Sequence, residues 1–279
     1  MQHKYLEGNL RLDTSIGLED AKHLLLGVPF DGSSSFLPGS RFAPTRIREA
    51  FLESEHDQYG GDLWEVLCDA GNVSVAGGDV EETLRRVREV VSYLRSVNPE
   101  ALLHVLGGEH LISLPLVEAL KDEVDAVVCL DAHLDLRDRL NGVRLSHATV
   151  MRRIHELGKR VFYFYPRTFA EEEKKASEQL EGIESFTDII VGNTEISSDN
   201  IYLSIDFDVL DPRVLPAVGN PHPGGITYEK LIDTIAALTE EKNVVAVDYT
   251  EYNPLADPNP AWAATCSQIL IDTIRAQEK

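Results

Sequence analysis

Short apolar runs alternate along the chain with segments of helical period. The runs His23 to Val28, Glu65 to Asp69, Ala101 to Leu106, Ala126 to Asp131, Arg160 to Tyr165, Ile183 to Phe186, Ile201 to Asp206 and Val244 to Tyr249 read as strands. Several are continuous Val/Leu/Ile segments, the mark of strands buried on both faces. Between them, one amphipathic helix starts at Asp79, an N-cap with Glu82 three residues on, and aligns Leu84, Val87, Val91 and Leu94. A second starts at Thr227 and presents Leu231, Ile235 and Leu238. The charged run Glu171 to Lys175 reads as a solvated helix face. Strands alternating with helices predict βαβ units and a parallel sheet, and periodicity alone leaves an open sheet and a (β/α)8 barrel both standing. The Gly/Ser/Pro-rich stretch from Pro29 to Pro44 reads as an active-site loop, not a linker. No repeat or compositional break divides residues 1–279, so a single domain is expected.

Charge narrows the partners. The 26 Lys+Arg stand against 47 Asp+Glu, a formal net of −21. Such a chain is poorly suited to phosphate backbones or acidic lipid, so neither nucleic acid nor a membrane surface is expected as a partner. A cationic small molecule would be helped by the field. The longest apolar runs fall far short of the roughly 20 residues of a membrane span, and the N-terminus lacks a signal-peptide core. Cys68, Cys129 and Cys266 are odd in number and far apart, which argues against a disulfide framework or thiolate zinc site and fits a reducing cytoplasm.

Chemistry concentrates at strand ends. Asp131-Ala132-His133-Leu134-Asp135 directly follows an apolar run. In an extended segment, residues i, i+2 and i+4 project to one side, so two carboxylates and an imidazole crowd together where parallel sheets place their sites. Without a cation that crowding is costly. Asp206-Phe207-Asp208 repeats the pattern, with Asp211-Pro212 beyond, and Gly107-Gly108-Glu109-His110 delivers a second imidazole on a flexible turn. Any one of these alone is a weak signal, because acids at strand ends often only cap helices and a histidine in a glycine turn is usually structural. Together, from what read as neighbouring strands, four aspartates and two histidines balance two divalent cations with room for a bridging hydroxide. A carboxylate/imidazole set without thiols favours Mn²⁺, with Fe²⁺, Co²⁺ or Zn²⁺ next.

These segments, with Ser146-His147-Ala148-Thr149, Ser204-Ile205-Asp206-Phe207-Asp208-Val209-Leu210-Asp211-Pro212 and Asp248-Tyr249-Thr250-Glu251-Tyr252-Asn253-Pro254, resemble the signatures of the ureohydrolase family: arginases, agmatinases and formiminoglutamases. They stand in the family's order from Gly27 almost to the C-terminus. The resemblance implies a three-layer α/β/α sandwich around an eight-stranded, mostly parallel sheet, which favours the open sheet over the barrel. It implies two manganese ions per chain, one held by His110, Asp131, Asp135 and Asp206, the other by His133, Asp131, Asp206 and Asp208. Asp131 and Asp206 would bridge. It also implies a homo-oligomer, trimer or hexamer.

On that resemblance the reaction is hydrolysis of a guanidino C–N bond with release of urea. Asp135 would relay a proton to the departing amine, and Glu251 would pair with the guanidinium in a two-point arrangement. His147, after the N-cap Ser146 in the first helical turn, would shuttle protons. His222 and Trp262 are further candidates for the pocket wall. Agmatine is the expected substrate, yielding putrescine, with arginine or another guanidino acid the runner-up. The segment Gly39 to Arg48 is similar to an agmatinase stretch, and the turn Asp138 to Leu145 lacks the Ser/Thr/Asn-rich run with which arginases read the carboxylate. Arg139, Asn141 and Arg144 in that turn are the alternative carboxylate readers. A mononuclear, deacetylase-like zinc hydrolase shares the implied fold but would not need His110 and both extra carboxylates. A binding protein without activity would have lost ligands, and none is lost. Four departures from the family pattern are Glu109 for Asp, Leu111 for Ser, Ala148 for Gly and Ala217 for Gly.

Overall fold

In the computed structural model, which describes residues 3–8, 11–54, 63–187 and 196–278, each run expected to be a strand contributes one. They are β2 (His23–Gly27), β3 (Leu67–Val73), β4 (Leu102–Leu106), β5 (Ala126–Leu130), β6 (Arg160–Phe164), β7 (Ile183–Phe186), β8 (Asn200–Asp206) and β9 (Asn243–Thr250). All eight are parallel. A two-residue β1 (Leu6–Glu7) adds an antiparallel ninth strand on β3, too short to leave a periodic signal. The order is β1-β3-β2-β4-β9-β8-β5-β6-β7, an open sheet with two edges, not a barrel.

Side-chain alternation sorts the core into two layers. In β5, Ala126, Val128 and Leu130 face the core shared with α1 (Ala43–Leu52), α6 (Tyr228–Glu241) and α7 (Ala261–Gln277). Val127 and Cys129 face the other core, shared with α2 (Val80–Val97), α3 (Ser113–Ala119) and α4 (Val150–Glu156). The result is the expected three-layer sandwich. Asp79 and Thr227 cap α2 and α6, accepting from the Glu82 and Lys230 amides at 3.0 and 3.2 Å. No helix among the described residues is long and apolar enough to cross a membrane.

Two sequence expectations need correction. β3 starts two residues late and runs on to Val73 through Asp69-Ala70-Gly71-Asn72. The strand persists because Arg48 of α1 is buried against it, bonding Asp69 through Nε at 2.7 Å and Nη2 at 2.8 Å and Asn72 at 2.8 Å. The run Glu171 to Lys175 begins α5 (Glu171–Gln179), but it is not wholly solvated. Glu173 is buried and accepts from the backbone amides of Leu136 and Ala170 at 3.2 and 2.8 Å.

Away from the strand C-termini, His104 is fully buried between His23 (3.1 Å) and the Tyr249 hydroxyl (3.0 Å). Burial, reinforced by His23, pushes its pKa well below the usual histidine value. Below about pH 6.5 the unfolded chain binds a proton here that the folded chain refuses, so stability falls with pH at up to about 1.4 kcal/mol per unit. The stability gap between wild type and His104→Gln should therefore narrow from pH 7 to pH 5 in denaturant titrations. A constant gap would show that the buried ring contributes no such dependence.

Candidate functional site

β4, β9, β8 and β5 lie side by side, and the chain passes from β4 to β5 across the other two. At such a reversal the loops beyond the C-terminal strand ends part and leave a crevice. The strands bearing His110, Asp206 and Asp131 are thus not all neighbours, as sequence suggested: β9, which carries Glu251, stands between β4 and β8.

The glycine turn after β4 is packed hard against the loop after β2. A Cβ at Gly108 would sit 1.9 Å from the Phe30 carbonyl oxygen, so only glycine fits. That close approach delivers His110 into the crevice. Its Nδ1 lies 3.2 Å from Asp131 Oδ2, 3.1 Å from Asp135 Oδ2 and 3.3 Å from Asp206 Oδ2. The His133 Nδ1 lies 2.8 Å from Asp208 Oδ2 and 3.5 Å from Asp131 Oδ1. Asp131 therefore turns one oxygen to each imidazole.

Electrostatics in the crevice is that of too many acids for the cations present. Burial, with Asp208 and Asp131 alongside, pushes the Asp206 carboxyl well above its usual range, and burial raises Asp208 too. Burial opposes ionisation of Asp131 as well, but hydrogen bonds from His110 and His133 hold it low. Four carboxylates and two inward-facing Nδ1 atoms are an oxygen/nitrogen donor set suited to divalent cations. The Asp131, His133 and Asp208 ligand atoms, and those of His110, Cys129 and Asp131, lie close enough together to hold a metal. Cys129 is a neighbour that the sequence reading did not place there, its Sγ 3.8 Å from Asp131. Burial and the adjacent Asp131 push its thiol pKa far up.

Behind His110 lies a support that sequence reasoning missed, although Ser204 and Asp248 stand in the motifs. The His110 Nε2 is 2.9 Å from Ser204 Oγ, which donates to Asp248 Oδ1 at 2.7 Å. Tyr202 (2.5 Å) and Ser113 donate to the other Asp248 oxygen. The chain keeps the Nε2 proton away from the crevice and leaves Nδ1 free to bind. Ser204→Ala should weaken metal binding about 10- to 100-fold, readable by titrating metal into the stripped protein. Unchanged affinity would exclude the relay.

A cavity of about 380 Å³ opens over these groups, lined among others by His133, Asp135, Asp206, Asp208, His147 and Glu251. Residues 34–37 of the Pro29 to Pro44 stretch form part of its wall, as expected of an active-site loop. Asp135 and Glu251 both have left-handed backbones, φ 45° and 67°. The Glu251 Oε1 accepts from the His110 amide at 2.9 Å; burial, with Glu109 nearby, pushes its pKa up to about 8. His147 opens a short 3-10 turn capped by Ser146, ahead of α4. Its Nδ1 is 2.9 Å from the Ser33 carbonyl oxygen and its Nε2 3.1 Å from Ser35 Oγ.

Five other candidates, Asn141 among them, do not line the cavity. His222 bonds its neighbour Pro223 and Trp262 packs on the α7 side core; neither lines the cavity. Arg139 and Arg144 are turned to Gly142, Asp138 and Glu156. Arg137 is instead the cation lining the cavity among the described residues, paired with Glu172 at 2.8 Å and Glu173 at 3.5 Å. Neither Arg137 nor Glu173 was anticipated; a charged run on a helix carries no signal for the side that leans over a site.

Residues 21–274 match the arginase family. The chain is 36% identical over its whole length to an N(1)-aminopropylagmatine ureohydrolase of Thermococcus kodakarensis, covering 99% of that protein. It is 38% identical to an agmatinase of Pyrococcus horikoshii, over 89% of each chain. Among solved structures, the agmatine ureohydrolase of Thermoplasma volcanium superposes with a TM-score of 0.84 at 31% identity, covering 95% of this chain and 93% of the other.

Proposed function

The chain belongs to the arginase family, and from that footing we propose that it is a binuclear manganese hydrolase that cleaves agmatine to urea and putrescine. The observation that carries this reading is Asp131, whose two oxygens face His110 at 3.2 Å and His133 at 3.5 Å, as a carboxylate shared by two cations would. His110, Asp131, Asp135 and Asp206 would hold one ion; His133, Asp131, Asp206 and Asp208 the other. Bound there, two such ions would supply the activation of water that attack on a charge-delocalised guanidinium carbon demands. Manganese is the preferred occupant on donor type.

The protein's own groups do the rest. Glu251 offers the guanidinium a carboxyl group whose Oε1 is already oriented by the His110 amide, and the arriving cation favours its ionised form. Asp135, on the cavity wall, would take the proton that the attacking water gives up and pass it to the departing amine as the C–N bond breaks. His147 exchanges protons between cavity and solvent through Ser35 Oγ.

Agmatine is favoured over arginine because an α-carboxylate finds no unpaired arginine or lysine among the described residues lining the cavity. Arg137 is engaged by Glu172 and Glu173, and Arg139 and Arg144 face away. Leaving that anion poorly paired costs about 1–3 kcal/mol, so kcat/KM for agmatine should exceed that for arginine by about 5- to 150-fold. A urea-release assay with Mn²⁺ across agmatine, arginine, guanidinobutyrate, formiminoglutamate and N(1)-aminopropylagmatine decides it. A ratio near one would make Arg137 the carboxylate reader. The T. kodakarensis relative supports N(1)-aminopropylagmatine as a second reading, and preference for it would lengthen the substrate without changing the chemistry.

A further inference from the structure

Glu109, beside the glycine turn, is fully buried, and the groups that meet its carboxylate are hydroxyls and amides. Its oxygens accept from the Ser33 amide at 2.9 and 3.1 Å, from Ser33 Oγ at 2.5 Å and from Ser34 Oγ at 3.1 Å. All the donors belong to one short segment of the active-site loop. Ser33 uses its remaining polar atoms on His147: its Oγ accepts from the His147 amide at 3.0 Å, and its carbonyl oxygen meets Nδ1 at 2.9 Å.

The proton positions follow from donor and acceptor types. A carbonyl oxygen only accepts, so Nδ1 carries the hydrogen and the neutral ring leaves Nε2 bare. Nε2 is the nitrogen beside Ser35 Oγ, a residue of the cavity wall. The Ser33 hydroxyl, once it donates to Glu109, has its lone pairs left for the His147 amide. Glu109 thus dictates the hydroxyl's direction and fixes the loop against which the imidazole rests.

We propose that Glu109 is a positioning residue for His147: through Ser33 it holds the ring as the Nδ1–H tautomer, with a basic Nε2 presented to the cavity. An aspartate at 109 would end about 1.5 Å short and could not hold the Ser33 and Ser34 donors in the same arrangement. The consequence for catalysis rests on the reading of His147 as proton carrier; the placement itself does not.

Glu109→Ala tests it in the metal-loaded enzyme, with Ser33→Ala as a second variant that leaves the buried carboxylate in place. Each should lower kcat ten- to a hundredfold, with KM within twofold and two ions per chain retained. Combined with His147→Asn, Glu109→Ala should lower kcat no further than His147→Asn alone. Histidine-selective ¹⁵N NMR of the chain loaded with diamagnetic zinc should show a single Nδ1–H tautomer for His147 in wild type and a tautomer mixture in both variants. An unaltered tautomer, additive losses in the double variant, or activity lost in step with metal would overturn the proposal. A wild type that binds metal but releases urea from no guanidino compound would refute the functional reading instead, while the NMR comparison would still decide the placement of His147.

Discussion

Asp131→Asn is expected to purify with fewer than two ions per chain and to release no measurable urea from agmatine. The change removes the carboxylate whose oxygens stand 3.2 Å from His110 and 3.5 Å from His133, and so touches both halves of the site. Removing one member of a buried charge cluster costs about 3–5 kcal/mol, two to more than three orders of magnitude in affinity. Asp206→Asn should act in the same direction, because its Oδ2 faces His110 and the same carboxylate would serve both ions. Metal analysis after gel filtration is the check. Two ions and near-native turnover in Asp131→Asn would exclude the assigned ligand set.

Glu251→Gln should keep both ions and lose ten- to over a hundredfold in kcat/KM. A hydrogen bond to a charged group contributes roughly 1.5–3 kcal/mol, and a glutamine offers the guanidinium one neutral acceptor in place of two charged oxygens. The fold should be untouched, because the amide oxygen can still accept from His110. A companion variant approaches from the other side: the Cβ of Gly219→Ala would stand 2.5 Å from Glu251 Oε2 and displace the carboxylate. Both variants should fail on agmatine by a similar factor. Native kcat/KM in Glu251→Gln would return that residue to the role of a turn acid.

What the sequence disclosed and what it withheld divide along physical lines. Strands buried on both faces announce themselves as Val/Leu/Ile runs, so eight parallel strands were legible, and so was the crowding of aspartates and histidines at their ends. Strand order was not, because β9 reaches its place between β4 and β8 by long-range pairing that leaves no local trace. The run of β3 beyond Asp69 to Val73 was not legible, because the partner of Asp69 and Asn72, Arg48, lies 21 and 24 residues away. Glu173 was lost in a charged run for the same reason, its inward turn set by Leu136. Glu109 stood out only as a departure from a pattern; its serines lie about 76 positions upstream. Spacing reveals which groups share a strand end, and it is silent about which loops close over them.

The left-handed backbones of Asp135 and Glu251 carry a consequence for how this protein ages in evolution. Each conformation costs roughly 1–2 kcal/mol for a residue with a side chain, and the clustered acids add repulsion. A glycine at either position would relieve strain and repulsion, partly offsetting the hydrogen bond to His110 that each acid gives up, so a chain that has lost its chemistry can still fold. Cellular proteolysis removes chains that unfold, not chains that merely fail to react. Selection on this crevice therefore acts through the product it releases and receives no help from quality control, and steady abundance of the polypeptide in a cell says nothing about whether its chemistry survives.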